Sequence, residues 1–178
     1  MLFVSQALWP TFEPFAGTLP QLKFVVHAGT SGPDSVAAMI ASGDAAQQVA
    51  PTGADDPCFW LYSSGSTGTP KGTVHLHAHL IQTAELYARP ILGIRENDVV
   101  YSAAKLFFAY GLGNGLTFPM SVGATAVLLP SRPTPADVFG VLKKFQPTIF
   151  YGVPTLYAAL LADAARPQRA ELSLRVCT

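Results

Sequence analysis

Apolar residues along this chain fall into short runs of two kinds, compact and β-branched or spaced three and four apart. Leu22 to Ala28 (Leu-Lys-Phe-Val-Val-His-Ala) is of the first kind and stops at Gly29-Thr30-Ser31-Gly32, which predicts a strand ending in a turn. Ser35 to Ile40 predicts a short helix. Residues 43 to 57 are dominated by Gly, Pro, Asp and Gln and are expected to form a surface loop rather than a domain boundary. Cys58-Phe59-Trp60-Leu61-Tyr62 predicts an apolar strand, and His77 to Ala88 a helix ended by Pro90. Further strands are expected at Asp98 to Ala103 and Ala124 to Leu129, separated by the Gly- and aromatic-rich stretch Phe107 to Gly115.

The clearest helix signal lies further on. Thr134 reads as an N-cap, Pro135 takes the first helical position, and Val138, Val141, Leu142 and Phe145 recur at i, i+3, i+4 and i+7. Pro147 should stop that helix, Thr148 to Tyr151 should be a buried strand, and Pro154 should open a helix reaching about Ala165. Strands alternating with helices predict an α/β fold with a largely parallel sheet covered on both faces. No internal repeat or low-complexity run is visible.

Composition narrows the function classes. With 178 residues, 49% hydrophobic and 12% charged, the chain can bury a sizeable core and is not of disordered type. Eleven basic residues balance eleven acidic ones, so no net field draws nucleic acid or anionic membrane. Met1-Leu2-Phe3-Val4 lacks a basic flank and makes a poor signal peptide, and no run approaches roughly 18 apolar residues, so the expected setting is the cytoplasm. Cys58 and Cys177 read as separate thiols rather than a disulfide or metal pair.

Between the Cys58 strand and the His77 helix lies Tyr62-Ser63-Ser64-Gly65-Ser66-Thr67-Gly68-Thr69-Pro70-Lys71-Gly72. Hydroxyls donate hydrogen bonds, glycines let backbone N–H groups close on an anion, and Lys71 adds a compact positive charge, so the run suits phosphate. It is expected as a loop joining strand to helix. A Walker A loop would need glycine where Pro70 stands and Ser or Thr where Gly72 stands, so that motif is excluded. A flexible Ser/Gly linker is the plain alternative. His75, His77 and His79 could share a metal at helical spacing, but no carboxylate or cysteine lies near to complete a site, so no metal ligands are assigned.

The run resembles, over eleven consecutive positions, the phosphate-binding signature of the adenylate-forming enzymes, the acyl-CoA synthetase, luciferase and peptide-synthetase superfamily. Lys105-Leu106-Phe107-Phe108-Ala109-Tyr110-Gly111-Leu112-Gly113-Asn114 resembles its aromatic signature, and Tyr151-Gly152-Val153-Pro154-Thr155-Leu156-Tyr157 its later strand-to-helix element. In wording, Trp60 to Gly72, Thr83 to Glu96, Ala103 to Gly115 and Pro147 to Leu160 are similar to the benzoate-CoA ligase group. The resemblance implies a partial N-terminal adenylation domain over residues 1–178 and an acid–thiol ligase that joins a benzoate to AMP and passes the acyl group to coenzyme A. ATP, Mg²⁺ and coenzyme A are the implied cofactors and co-substrates, with an aromatic carboxylate as small-molecule partner; a homodimer of the full-length enzyme is compatible with it.

On the same resemblance, Ser63, Ser64, Gly65, Ser66, Thr67, Gly68, Thr69, Lys71 and Gly72 are the expected ATP phosphate contacts. Phe107, Phe108, Tyr110 and Gly111 are the expected acyl pocket, an assignment that competes with a plain core aromatic cluster. Leu174 to Thr178 resembles the strand before the family's adenine-binding segment. The adenylation Lys, the metal-linked Glu and the C-terminal lid are then expected outside this chain, and residues 1–178 alone to be inactive. A non-catalytic nucleotide- or aromatic-acid-binding module and a phosphoryl-transfer enzyme with an unusual loop are the other readings.

Overall fold

Short continuous apolar runs, buried on both faces, set the central sheet. In the computed structural model, which describes residues 1–44, 46, 48–64 and 68–178, four parallel strands lie in the order β6-β5-β7-β8. These are β5 (Val99–Ser102), β6 (Thr125–Val127), β7 (Ile149–Tyr151) and β8 (Val176–Cys177). Val100 pairs with Ile149, Tyr101 with Phe150 and Ser102 with Tyr151. Tyr101 and Phe150 stack against each other on one face, while Val100, Ile149 and Tyr151 point to the other.

Each face is covered by helices, as expected from the alternating pattern. Helices α6 (Pro135–Phe145) and α7 (Pro154–Ala162) pack Val138, Val141, Leu142, Leu156 and Leu160 over Tyr101 and Phe150. The other face carries the π-helical turn Ala84–Ala88, which continues α3 (His77–Thr83), and α5 (Phe118–Val122). Helix α4 (Ala109–Leu112) runs into α5 through a second π-helical turn, Gly113–Thr117. Thr134 caps α6 by accepting from Asp137 N, while the Asp137 carboxylate accepts from Thr134 N and from its hydroxyl. The helix ends at Phe145, and Gln146, the residue before Pro147, takes the left-handed conformation at φ 48° and donates its N–H to Leu142 O.

The phosphate-type run departs from the expected strand–loop–helix arrangement. Strand β3 (Pro57–Ser64) turns back into an antiparallel β4 (Pro70–Leu76), and the helix starts only at His77. Lys71 pairs with Ser63 and Gly72 with Tyr62, so Pro70 to Gly72 is strand, not loop. Thr73, Val74 and Leu76 supply β-branched and apolar partners for Leu61, Trp60 and Pro57; Pro70 is tolerated as the first residue of its strand. A Cβ at Gly72 would lie 2.9 Å from the exposed Tyr62 ring, which would have to swing aside to admit it. Gly65, Ser66 and Thr67 lie outside the described residues.

Contacts divide the chain into two compact units, Met1–Pro51 and Thr52–Thr178, so residues 43 to 57, expected as a surface loop rather than a domain boundary, do contain a boundary between units. The first holds a parallel pair, β1 (Leu2–Ser5) with β2 (Val25–Ala28), and helices α1 (Trp9–Ala16) and α2 (Val36–Ser42). Of these, β1 and α1 were not foreseen from the sequence. The sheet, its helices and the hairpin belong to the second unit. Among the described residues no helix is long and apolar enough to cross a membrane.

Candidate functional site

Strand order places the site. From β5 the chain crosses one face of the sheet to β6, and from β7 it crosses the opposite face to β8, so the two strands send their loops apart. A crevice opens at such a switch point, beyond the carboxyl ends of the strands. Here it is a cavity of about 1040 Å³ walled by Ala103 to Lys105 and Phe107 to Tyr110 after β5, and by Val153, Thr155, Leu156 and Ala159 after β7. Tyr62, from the hairpin, and Arg132, Pro133 and Pro135, from the approach to α6, complete it.

The aromatic wall is built by a tight turn. Ser102 Oγ donates to Ala104 O, and Phe108 N to Lys105 O at 3.0 Å, before α4 starts at Ala109. Gly111 is buried beneath this turn rather than lining the cavity, and a Cβ there would stand 2.0 Å from Lys105 O, a collision with backbone that cannot relax. Phe107 and Phe108 are 74% and 57% exposed with ring centroids 4.4 Å apart, which rules out their being a core aromatic cluster.

Tyr110 is held by its hydroxyl, which donates to Thr178 O at 2.8 Å and lies 3.2 Å from Gly152 O. Its ring stands edge-on to Tyr151, centroids 6.2 Å apart. Burial pushes its pKa up against the opposing hydrogen bond to Thr178, so the phenol stays neutral at physiological pH. The Tyr157 hydroxyl reaches Phe150 O and the same Thr178 carbonyl. Both hydroxyls are thus spent on backbone, leaving Tyr110 to present ring rather than donor to the cavity.

Charge around the cavity is of one sign, from Lys105 and Arg132. Lys105 Nζ donates to Leu129 O and Ser131 O, whereas Arg132 has no hydrogen-bond or ion-pair partner among the described residues. Flat aromatic surface beside cations is chemistry for an aromatic carboxylate.

Of the expected site residues, the cavity brings together Phe107, Phe108 and Tyr110 with Tyr62, the residue that opens the phosphate-type run. Ser63, Ser64, Gly68, Thr69, Lys71 and Gly72 are exposed on or beside the hairpin and do not line it. Gly68 has φ +77°, a conformation that favours glycine. Lys105, Arg132, Pro133, Thr155 and Ala159 were not foreseen as lining. Lys105 and Thr155 lie within the stretches whose wording resembles the family, but nothing local marked Arg132. Among the described residues no three His, Cys, Asp or Glu side chains gather as a metal site; His75 and His79 sit edge to face, and His79 Nδ1 accepts from Leu76 N.

Comparison with known proteins finds relatives over nearly the whole chain. A benzoate–CoA ligase of Thauera aromatica is 66% identical over 98% of this chain and 33% of its own length. A 4-hydroxybenzoate–CoA/benzoate–CoA ligase of Rhodopseudomonas palustris is 46% identical over 99% of the chain and 33% of its own. Among solved structures, a benzoate CoA ligase from Burkholderia xenovorans superposes with a TM-score of 0.85 at 50% identity, covering 98% of this chain and 34% of that one. An anthranilate CoA ligase in complex with anthranoyl-AMP superposes with a TM-score of 0.91 at 39% identity, covering 99% and 35%. The chain therefore spans about a third of the length of the relatives it matches. A family profile described as AMP-binding enzyme matches residues 4–178, and with nearly its whole length covered the chain belongs to that family.

Proposed function

We propose that this chain is the phosphate- and acyl-binding part of an AMP-forming acid–thiol ligase that activates benzoate or a substituted benzoate with ATP and transfers the acyl group to coenzyme A. The observation that carries this reading is the meeting of Tyr62 with Phe107, Phe108 and Tyr110 around one cavity at the carboxyl edge of a parallel sheet. Its relatives act on benzoate, hydroxybenzoate and anthranilate by name, which supports an aromatic acid.

In the proposed reaction a carboxylate oxygen attacks the α-phosphorus and pyrophosphate leaves. The thiol sulfur of coenzyme A then attacks the carbonyl carbon of the acyl adenylate, and AMP leaves. Two anions must be brought together in the first step, so alignment and charge neutralisation supply the acceleration. In this reading Lys71 and the hydroxyls of Ser63, Ser64, Ser66, Thr67 and Thr69 hold the phosphates, with Gly65, Gly68 and Gly72 giving close backbone approach. The Phe107, Phe108 and Tyr110 rings seat the aryl group, and the Arg132 charge favours a carboxylate. Magnesium would neutralise charge on the triphosphate. Balanced charge supports small-molecule partners over nucleic acid, and a cytoplasmic enzyme, dimeric when whole, is part of the same proposal.

The test uses the whole enzyme carrying this segment and follows benzoate-dependent exchange of pyrophosphate into ATP. Tyr110→Ala should lower kcat/KM for benzoate by about tenfold or more while the KM for ATP stays within about twofold. An unchanged specificity constant for benzoate removes Tyr110 from the acyl site. Benzoate binding without any exchange in the parent enzyme favours a non-catalytic module.

A further inference from the structure

We propose that Lys105 is a positioning residue for the acyl site, holding Leu129 to Pro133 in place as one wall of the aromatic cavity. The inference rests on reading that cavity as the acyl pocket. Strand β6 ends at Val127, so the segment beyond it leaves the sheet ladder. Lys105 Nζ donates to two of its carbonyls, Leu129 O and Ser131 O, across 24 and 26 residues of chain. No other side-chain hydrogen bond reaches Leu128 to Pro133 among the described residues. Two carbonyls gripped by one ammonium fix the curl of the segment that presents Arg132 and Pro133 to the cavity.

The other end of the tether is rigid. Lys105 O accepts from Phe108 N, and Gly111 packs directly on that carbonyl. The backbone that carries the ammonium is therefore the backbone of the turn that carries Phe107, Phe108 and Tyr110. One side chain joins the aromatic wall to the Arg132 wall. Lys105 is half-buried and pairs with no carboxylate among the described residues, so these two carbonyls replace the hydration it gives up. Withdrawing a cation from water costs stability unless such bonds replace hydration, and a lysine serving only solubility would extend outward. Methionine at this position would fill similar volume and release both carbonyls to water.

The experiment compares Lys105→Met and Lys105→Arg with the parent whole enzyme. It measures KM for benzoate and ATP, kcat, melting temperature, and selectivity for benzoate over 2-naphthoate. Lys105→Met should raise the KM for benzoate about tenfold or more and reduce selectivity against the larger ring, with the KM for ATP within about twofold; a wall displaced by an ångström has effects of this order. Lys105→Arg, which keeps donors and charge, should recover most of the loss. An unchanged benzoate KM and selectivity in Lys105→Met overturn the proposal. Equal losses for ATP and benzoate with a lowered melting temperature also overturn it, since they describe a general prop. Should Lys105→Met not fold, Lys105→Gln, with its shorter amide donor, decides between the same outcomes. A parent enzyme with no benzoate-dependent exchange would instead reject the reading of the cavity, and this proposal with it.

Discussion

Tyrosine is used in two opposite ways in this molecule. Tyr110 and Tyr157 donate to backbone carbonyls, whereas the buried hydroxyls of Tyr101 and Tyr151 have no partner among the described residues. A buried hydroxyl stripped of water and left unpaired costs about 1–3 kcal/mol. Tyr101→Phe keeps the stacking on Phe150 and removes that cost, so the variant should be more stable by about 1 kcal/mol in urea unfolding. A loss of stability would mean that the hydroxyl is satisfied in solution. Burial, with a smaller contribution from Asp137, pushes the Tyr101 pKa from 10.0 to about 12. The fold holds this phenol neutral, so stability is unaffected by its ionisation below pH 10.0 and falls as pH rises through about 12, an alkaline loss absent from the Phe variant. Asp98 behaves in the reverse sense. Burial would raise its pKa, but bonds from Arg175, Thr148 and Arg95 N outweigh burial and hold it below 3.8. The stability it confers is present above pH 3.8 and lost as pH falls through its lowered value. Thermal melts between pH 6 and 2 (roughly the carboxylate range) should show a steeper acid decline in the parent than in Asp98→Asn; parallel curves would remove Asp98 from the acid response.

At the scale of elements, local signals were legible and non-local pairings were not. Thr134, Pro135 and the apolar spacing through Phe145 marked α6 because caps and periodicity are properties of neighbours in sequence. Thr134→Ala should lower stability by about 1 kcal/mol, read as a shift in urea midpoint; no shift would assign the N-terminal contacts to water instead. The hairpin was misread for the converse reason. What makes Pro70 to Leu76 a strand is pairing with Pro57 to Ser64, and no composition rule announces that Gly72 must face the Tyr62 ring. The acyl site divides the same way. Phe107, Phe108 and Tyr110 belong to one local stretch, but Arg132 and Ala159 reach the cavity only through the order of strands in the sheet.

At the scale of the whole molecule, an open parallel sheet with both faces covered sets the crevice where two crossovers part. The chain spans about a third of its relatives, so residues 1–178 incubated alone with ATP, Mg²⁺, benzoate and coenzyme A should form no benzoyl-CoA by chromatography, while a whole relative does. Turnover comparable to the relative's would show that this third suffices. The bond from Tyr110 to Thr178 O spans 68 residues. Closing so long a loop is entropically costly and comes after local turns have formed. The contacts to Gly152 O and Tyr151 can hold the ring without β8, but the Thr178 bond needs the edge strand in place, so the last restraint on the Tyr110 ring shares its cooperativity with the sheet's edge.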